Sequence, residues 1–207
     1  YTPYNKSINK SDIDKLTTYI DYLLSCKRTP SFDQEEDLVF LPDHKSDLPK
    51  LDKYVEQFSN IGFDFILFVG IGGANLGVQT VYDAIHPQKE IMFFENIDPD
   101  FTAKQLNQVA QYYKAGKKAL LITASKSGAT TETMSNFSYI LTEFQKLEPE
   151  WKQRTIITTV EGSNLDKIAK THSLKIIYTH ELLVDRYCVF GLGSLFALNA
   201  SGIDTRS

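Results

Sequence analysis

The sequence predicts an α/β protein: a five-stranded parallel sheet flanked by helices, with a helical N-terminal extension. Three observations carry that expectation. Short runs rich in Ile, Val and Phe recur at residues 63–69, 90–94, 118–123, 154–159 and 173–178. Stretches of helical texture separate them, at 76–85, 101–114, 130–147 and 164–171, and short apolar strands alternating with helices build a parallel sheet covered on both faces. The composition, 42% hydrophobic and 23% charged over 207 residues, is that of a globular chain able to bury a core without disulfide staples.

The elements follow in order. Ser11 is placed to cap a first helix with Asp14 three residues on, and Ile13, Leu16, Ile20, Leu23 and Leu24 share one face of it. Pro30 closes that region, and residues 27–46, polar and proline-containing, read as a loop. A second helix presents Leu48, Leu51, Val55 and Phe58. Residues 1–60 thus form the helical N-terminal segment and 61–207 the sheet-containing domain. In the helix at 130–147, Met134, Phe137, Ile140, Leu141, Phe144 and Leu147 recur at spacings of three and four, a stripe that faces the core.

Charge and cysteine content narrow the function classes. A net charge of −4 argues against nucleic acid as the main partner. The longest apolar stretch, 189–203, is short of the ~20 residues a membrane span needs and is interrupted by Asn199 and serines. No signal peptide is recognisable, so a cytoplasmic location is expected. Cys26 and Cys188 fit no metal spacing and read as free thiols in a reducing compartment. The first residue is Tyr1, which suggests a processed or cut piece.

Two strand-to-helix turns could carry chemistry, because ligands of open parallel sheets bind at the carboxyl ends of the strands. The first is Gly70-Ile71-Gly72-Gly73-Ala74-Asn75-Leu76-Gly77. Glycines let a backbone approach a ligand closely, and a tight structural turn would use them equally. Asn75 stands where a dinucleotide fingerprint needs its last glycine, and no phosphate-loop Gly-Lys-Ser/Thr is present. The second turn, Ala124-Ser125-Lys126-Ser127-Gly128-Ala129-Thr130-Thr131-Glu132-Thr133, holds five hydroxyls and one lysine in ten residues. A single hydroxyl would suffice as a helix cap. Five of them, with free N–H groups at a helix start, make a neutral cradle suited to a phosphate monoester.

Gly70-Ile71-Gly72-Gly73 with Leu76-Gly77, followed by Ser125-Lys126-Ser127-Gly128 with Thr130-Thr131-Glu132-Thr133, resembles the glucose-6-phosphate isomerase family and, more broadly, the sugar-isomerase (SIS) domain. Arg186-Tyr187, then Val189-Phe190 and Ala200-x-Gly202-Ile203-Asp204, resemble that family's arginine signature and the helix after it. The resemblance runs from about residue 38 to 204. It implies reversible conversion of glucose 6-phosphate and fructose 6-phosphate through an enediol, without metal or cofactor. It assigns the substrate phosphate to Ser125, Ser127, Thr130 and Thr133 with the backbone N–H of Lys126, sets Gly73 beside the sugar, and makes Arg186 the catalytic residue that steadies the enediolate. A full-length homodimer is implied as well.

The chain departs from the family pattern at four positions. Ala74 replaces a serine after the paired glycines, Val184 and Asp185 replace Gly-Gly before the arginine, and Cys188 replaces a serine. Asp185 matters most, since a carboxylate beside Arg186 could pair with it or repel the enediolate. The family's base glutamate and its ring-opening histidine and lysine match nothing in these residues, and the second SIS domain is absent from them. Glu132 reads as a capping or supporting residue and His180 as a surface or core-edge histidine. The alternative is a non-catalytic SIS domain that binds a sugar phosphate and regulates or scaffolds another protein.

Overall fold

The computed structural model describes residues 10–28, 33–43, 45–183 and 185–206. The chain divides into two compact units, Tyr1–His44 and Lys45–Ser207.

The first unit holds helix α1, Lys10–Arg28, and a 3-10 helix, Glu35–Asp43. Two expectations change here. The helix already runs at Lys10, so Ser11 lies inside it rather than capping it. The apolar face of this helix is exposed, with Ile13, Leu16, Ile20 and Leu24 at 51–56%; within its own unit the only other described element is a short 3-10 helix, too little surface to cover it. Residues 27–46 are not all loop, because the Glu35–Asp43 turns form around Leu38, which is fully buried. Pro30 lies outside the described residues.

In the second unit, a one-turn 3-10 helix, Lys45–Asp47, leads into α2, Leu48–Ser59. Then strands and helices alternate: β1 Phe65–Val69, α3 Gly73–Ile85, β2 Ile91–Phe94, α4 Pro99–Lys114, β3 Ala119–Ala124, α5 Thr131–Leu147, β4 Thr155–Thr159, α6 Asn164–His172 and β5 Lys175–Tyr178. A 3-10 helix, Asp185–Phe190, and α7, Leu192–Ser201, follow. All five strands are parallel, in the order β2-β1-β3-β4-β5. Each expected run coincides with its strand, which starts one or two residues later, and β3 runs one residue further, to Ala124. None of the described helices is long and apolar enough to cross a membrane.

The sheet divides the core by residue parity. Ile66 and Phe68 of β1, with Leu120, Ile122 and Ile156, face α2, α3 and α7 through Leu51, Phe58, Val78 and Phe196. Phe65, Leu67 and Val69, with Leu121 and Ile157, face α4, α5 and α6 through Val109, Phe137, Ile140, Phe144 and Leu165. Burying one such side chain contributes about 1.5–3 kcal/mol, and strands buried on both faces read as continuous apolar runs for this reason. Right-handed crossovers explain the helix sides: the chain leaves β1 toward β2 over one face, then reverses and returns to β3 over the other. That reversal leaves a crevice at the carboxyl ends of β1 and β3.

At the opposite end of the sheet, Glu148 and Arg154 are both buried and form a charged clamp. Arg154 Nε lies 3.3 Å and Lys118 Nζ 3.5 Å from Glu148 Oε2, Tyr113 donates its hydroxyl to the same carboxylate at 3.1 Å, and Arg154 donates to the Gly62 carbonyl at 2.6 Å. Removing one side of a buried pair costs more than the pair contributes, since a charge remains without compensation. Arg154→Ala should therefore destabilise the protein by about 3 kcal/mol, at the lower end of the usual range because Lys118 stays. Lys50→Ala, which breaks an exposed pair with Asp47, should cost less than about 1 kcal/mol; urea denaturation of both variants measures the contrast.

Candidate functional site

A cavity of about 660 Å³ occupies the carboxyl edge of the sheet. Its wall comes from every turn that follows β1, β3, β4 and β5: Ile71 and Ala74, then five residues of the turn after β3 from Ser125 on, then Gly162 and Ser163, then Thr179 and Glu181, with Cys188, Gly193 and Ser194 beyond them.

The β3–α5 turn is held rigidly. Ser125 Oγ accepts from the Gly128 N–H at 3.1 Å and Ser127 Oγ from the Ala129 N–H at 3.2 Å, so each hydroxyl keeps its own proton to donate. Gly128 has φ +59°, and a Cβ there would lie 2.3 Å from the Leu165 backbone nitrogen. Glycine is required on both counts, and the turn rests directly on the start of α6. Behind it, the Thr159 hydroxyl reaches the Ser125 carbonyl at 2.6 Å and Ser163 Oγ at 2.8 Å. The Lys126 carbonyl accepts from Val160 N–H at 3.3 Å, while the Lys126 N–H has no partner among the described residues.

Helix starts supply the electrostatics. At α4, Asp98 caps the Asp100 and Phe101 N–H groups, and at α6 Ser163 caps that of Asp166. Of the four helices whose starts line the cavity, α6 is capped by Ser163, while α3, α5 and α7 begin at Gly72, Thr130 and Gly191 with no side-chain cap, as does α2 at Asp47 away from it. The first N–H groups of the three at the cavity are left for a ligand, and each start carries the positive end of a helix dipole, worth some 0.3–1 kcal/mol toward an anion. Thr130 stands at the capping position without using its hydroxyl to cap. Thr133, one turn on, is buried and makes no side-chain hydrogen bond among the described residues.

The structure thus brings Ser125, Lys126, Ser127, Thr130 and Thr133 into one cavity wall. Gly73 is the first residue of α3, between Ile71 and Ala74 of the lining. Arg186 lies in the 3-10 helix Asp185–Phe190, whose Cys188 also lines the cavity. The side chains of Asp185 and Arg186, and Val184 altogether, lie outside the described residues. Gly77 fits this 3-10 helix against α3, since a Cβ would come within 2.7 Å of Val189 Cβ. Glu132 and His180 are absent from the lining; Glu132 is exposed, and His180 Nδ1 accepts from the Leu182 N–H at 3.2 Å. Sequence reasoning missed Thr158, Ser163 and Ser194. A Gly-Ser pair straight after a strand was the available signal for Ser163, and Gly191-x-Gly193-Ser194 the one for Ser194.

A doubly wound sheet with a ligand-sized cavity at its switch point defines an α/β domain of the SIS type. The phosphoglucose isomerase family model matches residues 58–190. A probable glucose-6-phosphate isomerase of Haloquadratum walsbyi is 32% identical over 140 residues, 67% of this chain and 31% of that protein. Among solved structures, a hypothetical protein from Thermus thermophilus superposes with a TM-score of 0.74 at 20% identity, over 93% of this chain and 46% of the other. A glucose-6-phosphate isomerase from Chlamydia trachomatis superposes at 0.64 and 23%, over 76% and 30%. The chain belongs to the phosphoglucose isomerase family. It spans about a third or less of the length of the curated relatives it matches.

Asp166 orders the β4–α6 turn. Its buried carboxylate accepts from the Gly162 N–H at 2.8 Å, Lys170 Nζ at 2.9 Å and the Tyr178 hydroxyl at 2.9 Å. The Lys170 hydrogen bond foremost, with those from Gly162 and Tyr178, holds this carboxyl below the ordinary range against the opposing effect of burial. A depressed carboxylate contributes stability that is present above the unfolded-state value of about 3.9 and disappears as pH falls through the folded value. Asp166→Asn should therefore be less stable than the parent at neutral pH. The gap should close as pH drops below about 4, which denaturation midpoints measured across the acid range will show.

Proposed function

We propose that this chain supplies the phosphate-binding part of a glucose-6-phosphate isomerase, with residues 61–207 as its SIS domain and 1–60 as a helical segment before it. The observation that carries the reading is the uncapped start of α5, ringed by Ser125, Ser127, Thr130 and Thr133 on the cavity wall. In this reading those hydroxyls and the Lys126 N–H hold the phosphate of glucose 6-phosphate or fructose 6-phosphate, and Gly73 flanks the sugar. The reaction moves a proton from C2 to C1 through an enediol. Negative charge develops on oxygen in the transition state, and the guanidinium of Arg186 is the group suited to hold it. A carboxylate base outside these 207 residues takes the C2 proton and returns it to C1. The whole protein acts as a cytoplasmic homodimer. The alternative, a regulatory sugar-phosphate-binding domain, draws on Ala74 and Cys188, two departures that line the cavity.

Titration with fructose 6-phosphate tests the site. Thr130→Ala with Thr133→Ala removes two hydroxyls from a charged ligand and should weaken binding by about two orders of magnitude; equal affinity in both proteins would remove the turn from the site. In a coupled assay the 207-residue protein should bind fructose 6-phosphate without converting it. Turnover at an ordinary enzymatic rate that is lost in Arg186→Ala would place a base within these residues.

A further inference from the structure

The cavity extends across the sheet edge from one face to the other. Helix α5 packs on one face through Phe137 and Ile140, and α7 on the opposite face through Phe196 and Ala197, yet Thr133 and Ser194 line the same cavity. A phosphate seated at the start of α5 therefore shares its cavity with the start of α7.

The surface there has a different chemistry. Ser194 is only 6% exposed, and its hydroxyl has no hydrogen-bond partner among the described residues. The nearby Thr158 hydroxyl is already engaged, donating to the Ile177 carbonyl at 3.2 Å. The α7 start is fixed by Gly193, where a Cβ would fall 1.8 Å from Thr158 Oγ1. Ser194 is thus a rigidly placed donor–acceptor on a cavity wall, with no protein partner among the described residues and its hydroxyl open to the cavity. Glu161 and Glu181 line the same cavity. Glu161 lies 3.9 Å from Lys170, and Glu181 has no ion-pair partner among the described residues. Carboxylates accept hydrogen bonds from hydroxyls and repel a second phosphate.

We infer that Ser194 is a specificity-determining contact, hydrogen-bonding the uncharged, hydroxyl-bearing end of a phosphate monoester. The inference rests on the reading that the phosphate lies at the β3–α5 turn. It selects polyhydroxylated monophosphates over alkyl phosphates.

Two probes separate the ends of the ligand: fructose 6-phosphate, and n-butyl phosphate, a monoester without hydroxyls. Ser194→Ala should weaken fructose 6-phosphate by roughly 3- to 10-fold, the worth of one net hydrogen bond, and leave n-butyl phosphate unchanged. Ser194→Cys, with a weak donor of similar size, should move the same way and serves if the alanine variant fails to fold. Unchanged fructose 6-phosphate affinity, or equal losses for both probes, overturns the inference while the phosphate reading stands. If Thr130→Ala with Thr133→Ala binds both probes as the parent does, the phosphate reading fails and this inference with it.

Discussion

At Gly128 the space a side chain would fill is occupied by the backbone of Leu165, 2.3 Å from where a Cβ would stand. Two consecutive strand-to-helix turns therefore touch backbone to backbone. The β3–α5 turn cannot move without the start of α6, which Ser163 and Asp166 tie down in turn. Hydroxyls that would otherwise sit on a loose polar loop are held in register with the α5 start. Fixed donors do not have to be reorganised when an anion arrives, and this makes a neutral cradle effective in a partly enclosed space.

The helix starts around the cavity differ in their caps. A helix gains from a side-chain cap, as α4 does from Asp98 and α6 from Ser163, while α2 begins at Asp47 without one. Helices α3, α5 and α7 lack one where they meet the cavity. Leaving such groups unmet opposes folding by about 0.5–2 kcal/mol for each missing cap, a cost that a bound anion would offset.

The sheet was legible because β1, β3 and β4 are buried on both faces and leave unbroken apolar runs. The β3–α5 turn stood out because its hydroxyls exceed what capping needs. Ser194 did not, since it lies in the apolar stretch 189–203 and only the packing of α7 on β4 gives it a role at the edge. The α1 stripe shows the limit of such reading: periodicity states which residues share a face, and not whether anything covers that face. The Glu35–Asp43 helix was hidden by Pro42 and by a polar surround, while one buried leucine organises it. The role proposed for Arg186 rests on family resemblance alone, because a lone arginine near a helix start is ordinarily a surface residue.

Strand order also sets the tempo of assembly. Strand β1 is the first made, and its two neighbours are β2 and β3, with Phe65 facing Ala119 across the second pairing. No short hairpin can start this sheet; each parallel pairing waits for a whole helix to cross over, and loop closure opposes every one of them. The two walls of the switch-point crevice, after β1 and after β3, meet only when the central pair has registered. The cavity is thus among the later features of the fold to form, and an early, half-paired chain would expose the edges of β1 to other chains.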